Sequence, residues 1–208
     1  MNARAASLLF GLLCCSAARS AAAQEHSQAQ PLHAPSPGSD GVYGRLDGSI
    51  DLGVAPGVEL EAGEPRAVLR ASGHFLSTAG VYLRYEDGFS SNDERPARAV
   101  SFGIDVRPLF LPRFALDLEQ GPALLDLTLD SLSLNAGAYF AEPQRDSFGH
   151  ERGFDLGVGF GVPLCGEARG LWLEARAERR FTDHGEHAWL LSVGLAYHAL
   201  ILSTDSRP

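Results

Sequence analysis

The chain contains no lysine: all 17 basic residues among its 208 are arginine. Cysteine is nearly as scarce. Cys14 and Cys15 sit close to the start, which leaves Cys165 alone in the rest of the chain, and a lone thiol closes no internal disulfide. No apolar run reaches the roughly 20 residues that a spanning helix requires. No phosphate-cradling glycine loop is present, and neither is a nucleophile, base and carboxylate at a readable spacing. With 26 acidic residues the formal net charge is -9, which argues against a nucleic-acid partner. The exclusive use of arginine has two compatible sources. One is a GC-rich genome; the other is that guanidinium forks cross-link carboxylates better than ammonium groups do.

What the chain does have is alternation. Phe154, Leu156, Val158, Phe160 and Val162 alternate with Asp155, Gly157, Gly159 and Gly161, the period of a strand with one wet and one dry face. Eight segments read this way: residues 43–54, 66–74, 78–86, 98–107, 132–141, 154–162, 171–180 and 189–201. Each is roughly 9 to 12 residues long, as a tilted membrane strand requires. An even number of antiparallel strands closes with both termini on one side.

The start of the chain reads as an address. Residues 1–23 carry Arg4, a short apolar stretch and the small run Ala21-Ala22-Ala23, a pattern similar to a secretory signal peptide. Lipidation at Cys15 is the alternative. Residues 24–41, rich in Ser, Pro, Gln and His, read as a flexible leader. Residues 42–202 form the barrel domain and 203–208 a polar tail.

Alternation alone leaves open which face points inward. A lipocalin-like barrel has an apolar lumen, and a β-sandwich buries its apolar faces between sheets. The polar faces carry both signs of charge: Arg45, Asp47 and Asp51; Arg70; Arg84 and Glu86; Asp105 and Arg107; Glu174, Arg176, Glu178 and Arg180. Such a set can pair across strands inside a narrow lumen. Tyr85, Phe140, Trp189 and Tyr197 stand near strand ends, where interface girdles sit.

Together with export, this pattern resembles the small eight-stranded outer-membrane barrels of Gram-negative bacteria, the class of the OmpA transmembrane domain and OmpX. The resemblance is one of architecture. It implies an all-β, up-and-down antiparallel barrel contacting outer-membrane lipid and lipopolysaccharide, inserted by the outer-membrane machinery and monomeric. The segment Ser192 to Tyr197 would serve as an internal version of the terminal aromatic strand that this machinery reads. In that orientation the outward loops lie near 55–65, 87–97, 142–153 and 182–188.

One connection breaks the rule of short inward turns. Residues 108–131 form a leucine-rich insert between strands four and five, with proline breaks at Pro112 and Pro122. Pro122 suits a helix start, and Leu125, Leu129 and Leu132 follow at helical spacing. The expected element is amphipathic and lies at the periplasmic rim, in the membrane interface or tucked under the barrel. The competing reading extends strand five backward through Leu125, Leu127 and Leu129.

Candidate chemistry is sparse. Asp183, His184, Glu186 and His187 form the densest titratable cluster, in an exposed hairpin loop. His74 is expected at a surface turn, and Ser192 and His198 share a strand face too far apart for proton transfer. No catalytic residue, metal site or cofactor is assigned. The function expected is non-catalytic, structural or surface-interacting. The alternatives are a soluble or lipid-anchored periplasmic binder of an apolar ligand, and a lipid A-modifying hydrolase.

Overall fold

The structure, a computed structural model, describes residues 43–45, 49–61, 63–88, 98–119, 121–142, 151–183 and 187–201. The expected signal segment, leader and tail, and Cys15, lie outside them. Eight strands form: β1 (Ile50–Glu61), β2 (Glu64–Phe75), β3 (Ala79–Gly88), β4 (Arg98–Val106), β5 (Ser133–Glu142), β6 (Glu151–Pro163), β7 (Gly170–Thr182) and β8 (His187–Ile201). Each pairs antiparallel with the next, and β8 pairs back onto β1, so the barrel closes in sequence order. Ile50 lies opposite Ile201, so β1 begins and β8 ends at the same end. We call that end proximal and the other distal.

The period of two sets the faces. In β3, Val81, Leu83 and Tyr85 are exposed while Tyr82, Arg84 and Glu86 between them are buried. The same phase holds around the wall, so apolar side chains point out and charged ones point into the lumen. The lumen is narrow enough to require glycine in β6: a Cβ at Gly159 would lie 2.9 Å from Arg176 Cγ.

Seven strands lie within a few residues of their expected bounds, and the first does not. Strand β1 runs Ile50–Glu61 rather than 43–54, so most of the expected loop at 55–65 is strand, and Glu61 already pairs with Glu64. Pro56 and Gly57 read as a break, yet the strand passes through them. Proline has no N–H, and pairing of β1 with β8 skips Ala55 and Pro56 while pairing with β2 continues as Pro56 opposite Leu69. Gly57 permits the approach of β8, since a Cβ there would stand 2.8 Å from Gly194 Cα.

Between β4 and β5 the chain forms two short helices, α1 (Phe110–Ala115) and α2 (Ala123–Asp130). Pro122 stands in extended conformation at the N-cap of α2, and its carbonyl accepts the amides of Leu125 (2.8 Å) and Asp126 (3.2 Å). Helix α1 was not expected, because Pro112 reads as a break. Pro112 falls in the first turn, where a missing N–H costs nothing.

The proximal turn from β2 to β3 is strained. Leu76 and Ser77 both have positive φ, 47° and 52°, and the Thr78 amide donates to Phe75 O across them at 3.0 Å. Left-handed backbone costs an L-residue about 1–2 kcal/mol. Replacing Leu76-Ser77 by Asn-Gly should stabilise the barrel by roughly that amount, read as a higher urea midpoint. An unchanged or lower midpoint would contradict the turn geometry.

Candidate functional site

The lumen is filled by ionised side chains that meet from opposite walls. Near its middle, Arg84 of β3 reaches Glu86 of its own strand (3.0 Å), Glu59 of β1 (3.4 Å), Asp155 of β6 (2.5 Å) and Glu178 of β7, with Ser101 of β4 at 3.2 Å. Toward the distal end, Arg180 donates to both oxygens of Glu86 (3.1 and 2.6 Å) and to Asp155 (3.1 Å), with its guanidinium 3.8 Å above the Tyr139 ring. Arg66 closes this layer on Glu61 at 2.7 Å.

The next layers lead toward the proximal end. Arg70, stacked on Tyr82 at 3.9 Å, and Arg176 both donate to Asp105, at 2.8 and 3.2 Å. Beyond them, Arg107 donates to Asp51 at 2.9 Å, and His198 lies between Asp51 (2.9 Å) and Glu174 (3.1 Å).

Of the residues expected in the lumen, Asp51, Arg70, Arg84, Glu86, Asp105, Arg107, Glu174, Arg176, Glu178 and Arg180 are brought together there. Arg45 is instead in a turn before β1, and Asp47 lies outside the described residues. His74, expected at a surface turn, is fully buried, with Nε2 3.7 Å from Asp105. Glu59 and Glu61 were missed because Pro56-Gly57 concealed the second half of β1; the alternation Val58, Glu59, Leu60, Glu61 was the available signal. Tyr85, Phe140, Trp189 and Tyr197 all point outward, the first three toward the distal end and Tyr197 toward the proximal end. His184 and Glu186 lie outside the described residues, and His187 packs edge-on against Phe181 at 5.1 Å. Among the described residues no group of His, Cys, Asp and Glu is arranged to hold a metal ion.

The network leaves little space. The void beside Arg70, Arg84 and Arg176 is about 20 Å³, room for a water molecule and no more. Eight strands enclose only what their side chains fill.

A second cluster caps the proximal mouth. Leu127 of α2 is fully buried in one apolar cluster with Ala55, Ala168, Trp172 and Ala196. Asp126 and Asp130, on the same side of α2, bind Arg113 at 2.5 and 2.9 Å, and Arg45 reaches Asp130 at 2.7 Å and Glu119 at 3.1 Å. Tyr43 donates to Asp126 at 2.9 Å. Burial and this bond to Asp126 push the Tyr43 phenol up to about 12. Burial, and the Asp130 carboxyl beside it, push Glu119 up to about 7. Ser131 Oγ accepts the Gly161 amide at 2.7 Å and ties the end of α2 to β6. Leu125, Leu129 and Leu132 share the opposite, exposed side.

No protein-family model matches the chain, and no curated protein matches it by sequence. The fold and the lumen define its class: a closed, eight-stranded antiparallel β-barrel with an ion-paired interior and an apolar exterior.

Removing one member of a buried network strands its partners, at about 3–5 kcal/mol. Arg84→Ala should therefore cost about that much in urea unfolding, whereas Arg152→Ala, from an exposed 3.6 Å pair with Asp183, should cost about 0–1 kcal/mol. Equal effects would refute a shared network. In the cap, Glu119 holds its proton more tightly when folded than at the ordinary value of 4.5. The unfolded chain therefore binds fewer protons between about 4.5 and about 7, and the cap loses stability as pH rises through that window. Hydrogen-exchange protection of α2 should be higher at the bottom of this window than at the top, and Glu119→Gln should abolish the difference. A native chain with no such difference would exclude the shared carboxyl pair.

Proposed function

We propose that the protein is a non-catalytic, eight-stranded outer-membrane barrel of a Gram-negative bacterium, of the OmpA and OmpX class in architecture, with a structural or surface-interaction role. The observation that carries this reading is the inside-out distribution of polarity. Large apolar side chains such as Phe75, Val81, Ile104 and Tyr197 stand more than half exposed around the outer wall, while Arg84, Glu86, Asp155 and Arg180 are buried within. In water such a wall is a standing cost; in hydrocarbon it is the required surface. Apart from the lapse at Ala55 and Pro56, the closed ladder pairs its strands all the way round, and such closure is what permits a β-structure to cross a bilayer.

In this reading both chain ends of the barrel face the periplasm and the distal loops face outward. The residues between β4 and β5 form a rim element: Leu127, Asp126 and Asp130 seal the lumen, while Leu111, Phe114, Leu125 and Leu129 reach the inner-leaflet interface. Tyr85, Phe140 and Trp189 mark the outer interface and Tyr197 the inner one. The insertion machinery delivers a monomer whose partners are outer-membrane lipid and lipopolysaccharide. A lipocalin-like carrier would need an apolar cavity, and this lumen holds ion pairs.

Fractionation tests the address, and an unboiled-versus-boiled gel shift tests the barrel. The expected result is heat-modifiable migration in the outer-membrane fraction. Orientation is tested at Cys165, exposed in the proximal turn between β6 and β7. A membrane-impermeant maleimide should label it only after the outer membrane is permeabilised. A soluble protein without a shift, or labelling on intact cells, would overturn the reading.

A further inference from the structure

On the outer wall, β6, β7 and β8 set residues side by side in rows. Phe160, Ala175 and Val193 form one row and Val158, Ala177 and Leu191 the next. Two alanines flanked by larger side chains leave a groove of about 300 Å³ along β7. The following row toward the distal end is Leu156, Arg179 and Trp189. Arg179 thus stands in the row next to the groove on its distal side.

Arg179 is unlike the other outward-facing charges of the described strands. Asp87, Arg98, Glu142 and Arg152 lie within two residues of a distal strand end, where Arg98 stands opposite both Asp87 and Glu142. Arg152 pairs with Asp183. Arg179 lies further down the wall, one row below Phe181, and no described carboxylate pairs with it. Its guanidinium carbon is held 5.5 Å from the Phe181 ring centre and 5.4 Å from that of Trp189. Rings satisfy the face of a guanidinium and leave its in-plane donors unanswered. Its Nε is buried without a hydrogen-bond partner. An ion on an apolar wall marks a counter-ion, and planar, bidentate recognition is what suits a guanidinium to phosphate.

We propose that this groove and Arg179 bind one phosphorylated lipid of the outer leaflet, lipid A, with an acyl chain over Ala175 and Ala177 and a phosphate on the guanidinium. The inference rests on the membrane reading above, which turns the distal end toward the leaflet where lipid A resides. The geometry supplies the order that such a lipid needs. Four residues separate Ala175 from Arg179, about 13 Å along the strand. The headgroup contact therefore lies on the distal side and the chain runs from it toward the middle of the wall. Charge selects the phosphate, and the missing side-chain volume selects the chain.

The test is native mass spectrometry of the full chain, purified in detergent and stripped of lipid. It is titrated in separate arms with bis-phosphorylated lipid A, with its dephosphorylated form and with phosphatidylglycerol. The wild-type chain should retain one lipid A and little of the other two. Arg179→Gln should weaken retention about tenfold, Arg179→Lys less, and Ala177→Leu, which keeps the charge and fills the groove, by about as much as Arg179→Gln. Retention unchanged in both Arg179→Gln and Ala177→Leu would overturn the site. Equal retention of dephosphorylated lipid A would remove the phosphate contact, and equal retention of phosphatidylglycerol would remove the choice of lipid; either defeats the proposal. All variants lie on the outer wall and leave the lumen pairs untouched, and each is checked for the heat-dependent gel shift. If the wild-type chain shows the shift in the outer membrane and the lipid arms fail, this inference alone falls. If the wild-type chain is soluble and shows no shift, the membrane reading falls and takes it along.

Discussion

Closing eight strands leaves an interior only as wide as the side chains that fill it, and here that interior is ionic. Each buried charge must find an opposite one within reach or bear a desolvation cost that no folded state tolerates for long. Arg84 answers carboxylates from β1, β3, β6 and β7, and Arg180 answers Glu61, Glu86 and Asp155 from three of those strands. The forked shape of the guanidinium makes this multiple service possible, since its donors spread in a plane while an ammonium is a point. The absence of lysine from the whole chain is therefore compatible with the demands of the lumen, whatever its genomic origin. Alternation on the strands, glycine in β6 and apolar residues on the outer wall all accommodate this cross-linked interior.

The two ends of the lumen are finished differently. At the distal end the layer of Arg180, Glu86, Glu61 and Arg66 closes on Tyr139. At the proximal end a separate piece of chain supplies the closure. Helix α2 turns two aspartates and one leucine toward the barrel and its other leucines away. Its polarity is arranged for a lid over a charged mouth rather than for a helix packed on an apolar core. Arg45 and Arg113, one from before the barrel and one from α1, hold the lid's carboxylates.

Much of this was legible in the sequence because a period of two is insensitive to what surrounds it. Strands β2 to β8 fall close to their expected limits, and Arg84, Glu86, Asp105, Glu178 and Arg180 fall on the expected face. The differences share one cause: a local signal carries no information about the neighbours that closure brings. Pro56-Gly57 signals a turn in isolation, but a strand already paired on its other side carries a proline through. Arg45 has the right parity for the lumen, yet it is held by Glu119 and Asp130, more than seventy residues away. His74 has the look of a turn residue because it stands two residues before one, and only closure of the barrel buries it beside Asp105. Pro122 announced α2 correctly, whereas Pro112 hid α1 because a proline in a first turn and a proline that ends a segment look alike in one dimension.

The interrupted ladder between β1 and β8 has a further consequence. Ala55 and Ala196 lie where backbone pairing lapses, and both belong to the buried apolar cluster that contains Leu127. The first and last strands of a cylinder are its seam, and at this point the seam adjoins a buried cluster that includes a side chain from the segment between β4 and β5. Helix α2 thus adds apolar packing beside the one stretch of the join that lacks backbone pairs, and the patch comes from a part that belongs to none of the staves.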